Sequence, residues 1–215
     1  MQPPDAKALT AGANELGVSL SGEHAESLLA YLALLSKWNR VYNLTAVRNP
    51  SAMLVQHLLD STAIVAPLRR WTGGKPARVL DVGSGAGLPG VVIAELMPEL
   101  DVTCVDAVGK KAAFIRQVAG ELTLKNLHSA HSRVETLAGE PFDVIVSRAF
   151  ASLADFVTLT WRHRGPGSVW IAMKASPPRE ELVALPKTID VFHVEQRLVP
   201  GLDAPRCLIW MREQT

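Results

Sequence analysis

The chain has 215 residues, enough for one well-buried α/β domain and too few for two of ordinary size. With 48% hydrophobic and 20% charged residues it is not a disordered chain, and its +1 formal charge leaves any nucleic-acid affinity to a local patch. The opening Met1-Gln-Pro-Pro-Asp-Ala-Lys7 has neither the basic stretch nor the apolar core of a leader, and no apolar run reaches bilayer length, so a cytoplasmic protein without a membrane partner is expected.

Between His24 and Trp38 the residues Leu28, Tyr31, Leu32, Leu35 and Trp38 recur at helical spacing, which marks one buried face and assigns Trp38 to packing before base stacking. A second helix starts at Asn49-Pro50, with asparagine as cap and proline in the first turn, and turns Met53, Leu54, His57, Leu58 and Val65 inward. Residues 1–72 thus read as a helical extension, closed by the breaker run Thr72-Gly-Gly-Lys-Pro76.

From 77 to 215 short apolar runs alternate with helical patterns. Strand 77–82 is followed by helix 89–96, strand 101–106, helix 109–121 and strand 127–130. Strand 142–147, helix 152–162, strand 168–173, helix 178–185 and two β-rich runs, 190–199 and 206–212, complete the chain. The alternation predicts an α/β fold with a mostly parallel seven-stranded sheet, Rossmann-like, covered by helices on both faces. The last two runs have only the turn-rich Pro200 to Pro205 between them, which predicts a C-terminal antiparallel hairpin. Cys104 and Cys207 each sit in a strand-like run and read as small buried hydrophobes rather than as a disulfide or a metal site.

The run Arg78-Val-Leu-Asp-Val-Gly-Ser-Gly-Ala-Gly-Leu-Pro-Gly90 joins a strand to a helix through Gly83, Gly85 and Gly87, where glycine lets the backbone turn tightly and come close to a ligand. Gly85, Gly87 and Gly90 also spell Gly-x-Gly-x-x-Gly, but out of register with the strand end, and Gly90 already lies in the helix. Asp81 before the loop would repel a pyrophosphate and suits a ligand with an amino group and a sulfonium cation, as in S-adenosyl-L-methionine. Asp106, at the end of the second strand, can accept from both ribose hydroxyls or cap the helix starting near Lys110, and the two roles are compatible. Ser132-Arg-Val-Glu135 follows the third strand, where backbone groups can read an adenine edge.

Taken together, Lys37-Trp-Asn-Arg-Val-Tyr-Asn-Leu-Thr45, His57-Leu-Leu-Asp-Ser61, Asp81 to Gly90, Gly109-Lys-Lys with Phe114, Ser132 to Glu135 and Phe142 to Ser152 resemble the bacterial ribosomal RNA small-subunit methyltransferase G family, also called glucose-inhibited division protein B. The resemblance spans nearly the whole chain and implies a class I S-adenosylmethionine-dependent methyltransferase fold. It implies cofactor contacts at Gly83, Leu88, Val134, Glu135 and Arg148, and as substrate a guanosine of 16S ribosomal RNA, methylated at N7. The family often has Lys-Gly after the fifth strand where this chain has Lys174-Ala175, which puts the placement of Lys174 in question.

Guanine N7 has a lone pair and no proton, so its methylation needs alignment and no general base. Arg148, at the end of the fourth strand, is read as bordering both cofactor and guanine, against a structural pairing with Asp81 or Asp155. From the extension Asn39 and His57 join it as catalytic candidates, against capping for the asparagine and a satisfied core position for the histidine. Arg40, Asn43, Arg133 and Lys174 are the RNA-binding candidates, within a wider basic set that adds Lys37, Arg48, Arg162, His163 and Arg164; for Asn43 turn formation is the alternative. His128 and His131 lack acidic or thiolate partners nearby in the sequence, so no metal is expected. The partner is the small ribosomal subunit, engaged by a monomer. A methyltransferase of a non-RNA acceptor and a noncatalytic cofactor-binding ribosome-assembly protein are the competing readings.

Overall fold

The structure is a computed structural model that describes residues 5–148 and 150–214. It opens with α1 (Ala6–Glu15), capped by Asp5, whose side chain accepts from the Lys7 N–H. Sequence periodicity missed this helix: its buried stripe is only Leu9, Gly12 and Ala13, and its packing against the helices that follow supplies what a short stripe lacks. Next comes α2 (Gly22–Tyr42), capped by the Ser21 hydroxyl and ended by Asn43 in the left-handed region at φ 50°. The single helix expected from Asn49 is instead four pieces: α3 (Pro50–Met53), a π-helical stretch Leu54–Leu59, α4 (Asp60–Thr62) and α5 (Val65–Thr72). Asn49 caps the first as expected, accepting from the Ala52 N–H. Restarting at Val65 puts Pro67 in a first turn, where its missing N–H leaves no bond unmade.

The sheet follows. Its strands are β1 (Ala77–Val82), β2 (Leu100–Asp106), β3 (Leu127–His131), β4 (Phe142–Ser147), β5 (Arg164–Lys174), β6 (Ile189–Arg197) and β7 (Arg206–Glu213), in the order β3-β2-β1-β4-β5-β7-β6. The first five are parallel, and β7 runs antiparallel to both β5 and β6. Between them lie α6 (Gly90–Leu96), α7 (Gly109–Glu121), α8 (Leu153–Thr160) and α9 (Arg179–Val183). The predicted α/β class and C-terminal hairpin are therefore observed. β5 starts earlier than its hydrophobic run because Gly165 to Gly167 form an irregularity inside the strand, where Ser168 Oγ accepts from the Gly165 N–H and donates to the Phe142 carbonyl.

One face of the sheet packs Val79, Val102, Val144 and Ile171 under α6 and α7, over which the N-terminal helices lie. The other packs Leu80, Ile145, Trp170 and Ile209 under α8. Ser27 Oγ on α2 donates to the Glu95 carboxylate near the end of α6 (2.5 Å), so α2 begins at the amino edge of the sheet and ends at the carboxyl edge. Both cysteines are buried.

The tightest joint is where α6 leaves the loop after β1. A Cβ on Gly90 would stand 2.3 Å from Cys104 Sγ and 2.9 Å from Asp81 Oδ2. Gly90→Ala is therefore expected to destabilise the fold by about 1–3 kcal/mol, read as a fall in melting temperature, and Cys104→Ala in the same chain should recover part of that loss. An unchanged melting temperature for the single variant would contradict the close packing of α6 on β2.

Candidate ligand crevice

The strand order reverses between β1 and β4, and in an open α/β sheet that switch point at the carboxyl edge is where the ligand crevice lies. The turn after β1 borders it. Gly83 and Gly85 have φ of 64° and 60°, and an added Cβ on either would meet nothing within 4 Å, so both positions open onto space. The turn is held from behind: the Gly83 N–H donates to the Val105 carbonyl and the Gly85 N–H to Asp106 Oδ2 (3.0 Å). Gly87 packs on Val91 and Ile115, and Leu88 is buried in the core.

Asp81 is fully buried. Its Oδ2 accepts from the Gly90 N–H at 2.8 Å, while Oδ1 has no partner. Burial pushes its pKa up to about 7, against the lowering effect of the Gly90 N–H and of the nearby Arg148 charge. A buried oxygen without a donor, beside an open glycine turn, fits a ligand that brings a cation or an N–H to this edge. Asp106 already receives Val108 N–H on Oδ1, and Gly85 N–H and Lys111 Nζ on Oδ2. It thus ties down the turn toward α7, and Oδ1 keeps a lone pair for a hydroxyl.

Arg148 follows β4, directly across the switch point from the glycine turn. Its Nη1 donates to the Gln56 carbonyl (3.0 Å) and Asp60 Oδ2 (3.4 Å); the pairings with Asp81 or Asp155 weighed from sequence are replaced by Asp60, 88 residues away in the chain. The extension closes over this edge. Tyr31 Oη donates to the Ala86 carbonyl in the glycine turn (2.9 Å), and burial raises its pKa so that it remains a donor. Asn39 is buried and its Oδ1 accepts from the Thr45 N–H (2.9 Å), while Thr45 Oγ1 and His57 Nε2 lie 3.0 Å apart. Burial, then the Arg148 charge, depresses the His57 pKa to about 4, so its ring is neutral near pH 7. Asn43 ends α2 and accepts from Arg48, and Arg40 is exposed on the last turn of α2. Trp38 is partly buried, edge-on to Phe114.

On the far side of the crevice, Val134 is buried and Arg133 and Glu135 are exposed. The Val134 and Glu135 carbonyls accept from His163 Nε2 and Arg162 Nη1, so what this turn offers a ligand is N–H groups and the Glu135 carboxylate. Lys174 Nζ is bound to Glu181 (2.9 Å) and the Phe150 carbonyl. The wider basic set does not form one patch. Arg164 pairs with Glu213 and lies over Trp161 at the amino end of β5, and since 164–172 advances only as far as 142–147 of β4, it stands about 23 Å from Lys174 at about 3.3 Å per step. His163 is buried. Sequence reasoning missed Asp60 and Arg206, whose Nε donates to Asp60 Oδ1 at 2.8 Å. Asp60 lies inside the quoted His57 to Ser61 motif, but nothing local named its partners. Among the described residues no cluster of three His, Cys, Asp or Glu side chains could hold a metal, and no helix is long and apolar enough to cross a membrane.

Comparison with known proteins agrees over almost the whole chain. The family model described as rRNA small subunit methyltransferase G matches residues 24–209. A protein of that name from Leptothrix cholodnii is 59% identical over 212 residues, covering 99% of this chain and 97% of the relative, and one from Methylibium petroleiphilum is 58% identical over 216 residues, covering 99% and 98%. Among solved structures, the N-methyltransferase NodS from Bradyrhizobium japonicum, in complex with S-adenosyl-l-homocysteine, superposes with a TM-score of 0.58 at 13% identity, covering 84% of this chain and 100% of that one, which shows a shared fold.

The two buried titrating groups pull stability in opposite directions. Asp81, whose pKa rises from 3.8 to about 7 on folding, contributes stability that is complete below pH 3.8 and is lost as pH rises toward 7. His57, lowered from 6.5 to about 4, contributes stability present above pH 6.5 that is lost as pH falls toward 4. We expect the two to offset each other between pH 4 and 6.5 in the unaltered protein. Asp81→Asn should lose several degrees of melting temperature on acidification across that window, and His57→Gln should lose stability as pH rises from 4 to 7. Parallel pH profiles in the two variants would refute both assignments.

Proposed function

The chain belongs to the rRNA small subunit methyltransferase G family, and from this we propose that it transfers a methyl group from S-adenosyl-L-methionine to N7 of a guanosine in 16S ribosomal RNA. The observation that carries the reading to this chain is the guanidinium of Arg148 held across the switch point from the open glycine turn. Gly83, Gly85 and Gly87 shape the cradle for the cofactor, with Asp81 beneath it, Asp106 toward the ribose, and Val134 and Glu135 at the adenine end; Leu88 acts from within the core by holding the turn. The orphaned Asp81 oxygen and the positive-φ turn support this placement.

When bound, the cofactor supplies an electrophilic methyl group on a sulfonium. The chain's own work is alignment, which can lower a barrier by roughly 7–11 kcal/mol when the reacting atoms are well held. N7 has no proton to remove, and the neutral His57 fits that chemistry: it orients Thr45 and, through it, the loop that Asn39 ties to α2, rather than carrying a proton. Arg148 donates to guanine O6 or to a phosphate beside it. Arg40, Asn43 and Arg133 face the RNA from the two rims, while Lys174, engaged by Glu181, orders the loop after β5. We propose a monomer that works on the small ribosomal subunit in the cytoplasm.

Incubating the protein with methyl-labelled cofactor and unmethylated small subunits should place the label on one guanine at N7; label on protein, or none, would contradict the reading. Arg148→Ala should abolish transfer, a loss of at least about 10²-fold, with the melting temperature close to that of the unaltered protein. Tyr31→Phe should weaken S-adenosylhomocysteine binding severalfold in calorimetry, because the Ala86 carbonyl loses its donor.

A further inference from the structure

We infer that Asp60 is a positioning residue for Arg148, and that Arg206 completes the device from the other end of the chain. Asp60 is 5% exposed. Its two carboxylate oxygens are divided between two arginines: Oδ1 accepts from Arg206 Nε at 2.8 Å and Oδ2 from Arg148 Nη1 at 3.4 Å. Arg206 opens β7 beside the end of β5, where Cys207 pairs with Lys174, so it stands at the same carboxyl edge as Arg148.

The local structure serves this arrangement. The π-helical stretch Leu54–Leu59 ends at Asp60, and it brings the Gln56 carbonyl and Asp60 Oδ2 onto the same Nη1 of Arg148. Two acceptors on one nitrogen fix the plane of the guanidinium, and Nε and Nη2 have no partner among the described residues. One carboxylate against two guanidiniums leaves one net positive charge at the crevice, complementary to guanine O6 or a phosphate. Fold stability does not account for the trio. A buried ion triad is often no more stabilising than apolar side chains of the same volume, whereas it does hold a charged group at a set position.

This inference rests on the reading of Arg148 given above, and the test separates the two. Single-turnover methyl transfer to unmethylated small subunits is measured at saturating cofactor for the unaltered protein, R148A, D60N and R206M, alongside S-adenosylhomocysteine affinity and thermal melting. We expect D60N to slow the single turnover by about 10²-fold and R206M by about 10-fold, with homocysteine-product affinity and the subunit KM within about 2-fold of normal. Normal rates in D60N and R206M beside an inactive R148A would overturn the positioning role and leave the reading of Arg148 intact. A normal rate in R148A would overturn that reading first. Rate and S-adenosylhomocysteine affinity falling together by the same factor would make Asp60 a structural tie and also overturn the inference. Should D60N fail to fold, R206M, which keeps the buried carboxylate and its bond to Arg148, decides the matter by the same criteria.

Discussion

The crevice depends on one close approach, the start of α6 against the ends of β1 and β2. Only a residue without a side chain lets the helix come within reach of Cys104 and places the Gly90 N–H on Asp81 Oδ2. That bond joins a helix N-terminus to a buried carboxylate, a favourable pairing with the helix dipole. It does not fully offset the cost of burial, because Oδ1 remains without a donor and the carboxyl pKa stays near 7. The residual cost is therefore electrostatic, and it sits at the edge where the glycine turn opens. The same approach sets the height of the glycine turn, and Asp106 and Val105 clamp that turn from the side of β2.

The helical extension is a second wall of the same site. Tyr31 reaches the turn at the Ala86 carbonyl, and the chain from Asn39 through Thr45 to His57 spans the top of the crevice by hydrogen bonds between side chains and backbone. Polar networks of this kind are rigid when satisfied and costly when not. His57 Nδ1 is buried without a partner among the described residues, near Arg148, whose charge helps to keep the ring neutral. A neutral ring here avoids a second cation beside the guanidinium, so that Arg148 keeps its contacts with Gln56 and Asp60.

What the sequence made legible follows from range. The glycine turn, the acidic ends of β1 and β2, the alternation of strand and helix and the final hairpin are patterns within a few tens of residues, and they appear where periodicity and turn chemistry put them. α1 and the break at Ala63-Ile64 were hidden because packing and the restart of a helix at Val65 decide them, not local spacing. Arg148 was legible as a strand-end residue, yet its partner was not, since Asp60 and Arg206 lie 88 and 58 positions from it and meet only through the sheet order. Lys174 shows the converse: it stands at the end of β5, as the strand pattern placed it, and its charge is committed to Glu181, which no local signal announced.

The balance of charge sets how an RNA would be recognised. Around the crevice Arg148 and Arg206 share Asp60, Lys111 is bound to Asp106 and Lys174 to Glu181, so the cations nearest the site are largely compensated. Exposed Arg40, Arg48 and Arg133 stand on its rims. For the proposed RNA substrate, electrostatic attraction at the crevice would then rest on these rim arginines and on the one net positive charge of the Asp60 trio. The proposed reading then leaves discrimination to shape: a folded RNA surface that fits both rims at once would bring its base to Arg148. A near-neutral chain is thus compatible with the proposed RNA substrate, because recognition by shape needs no excess of basic residues.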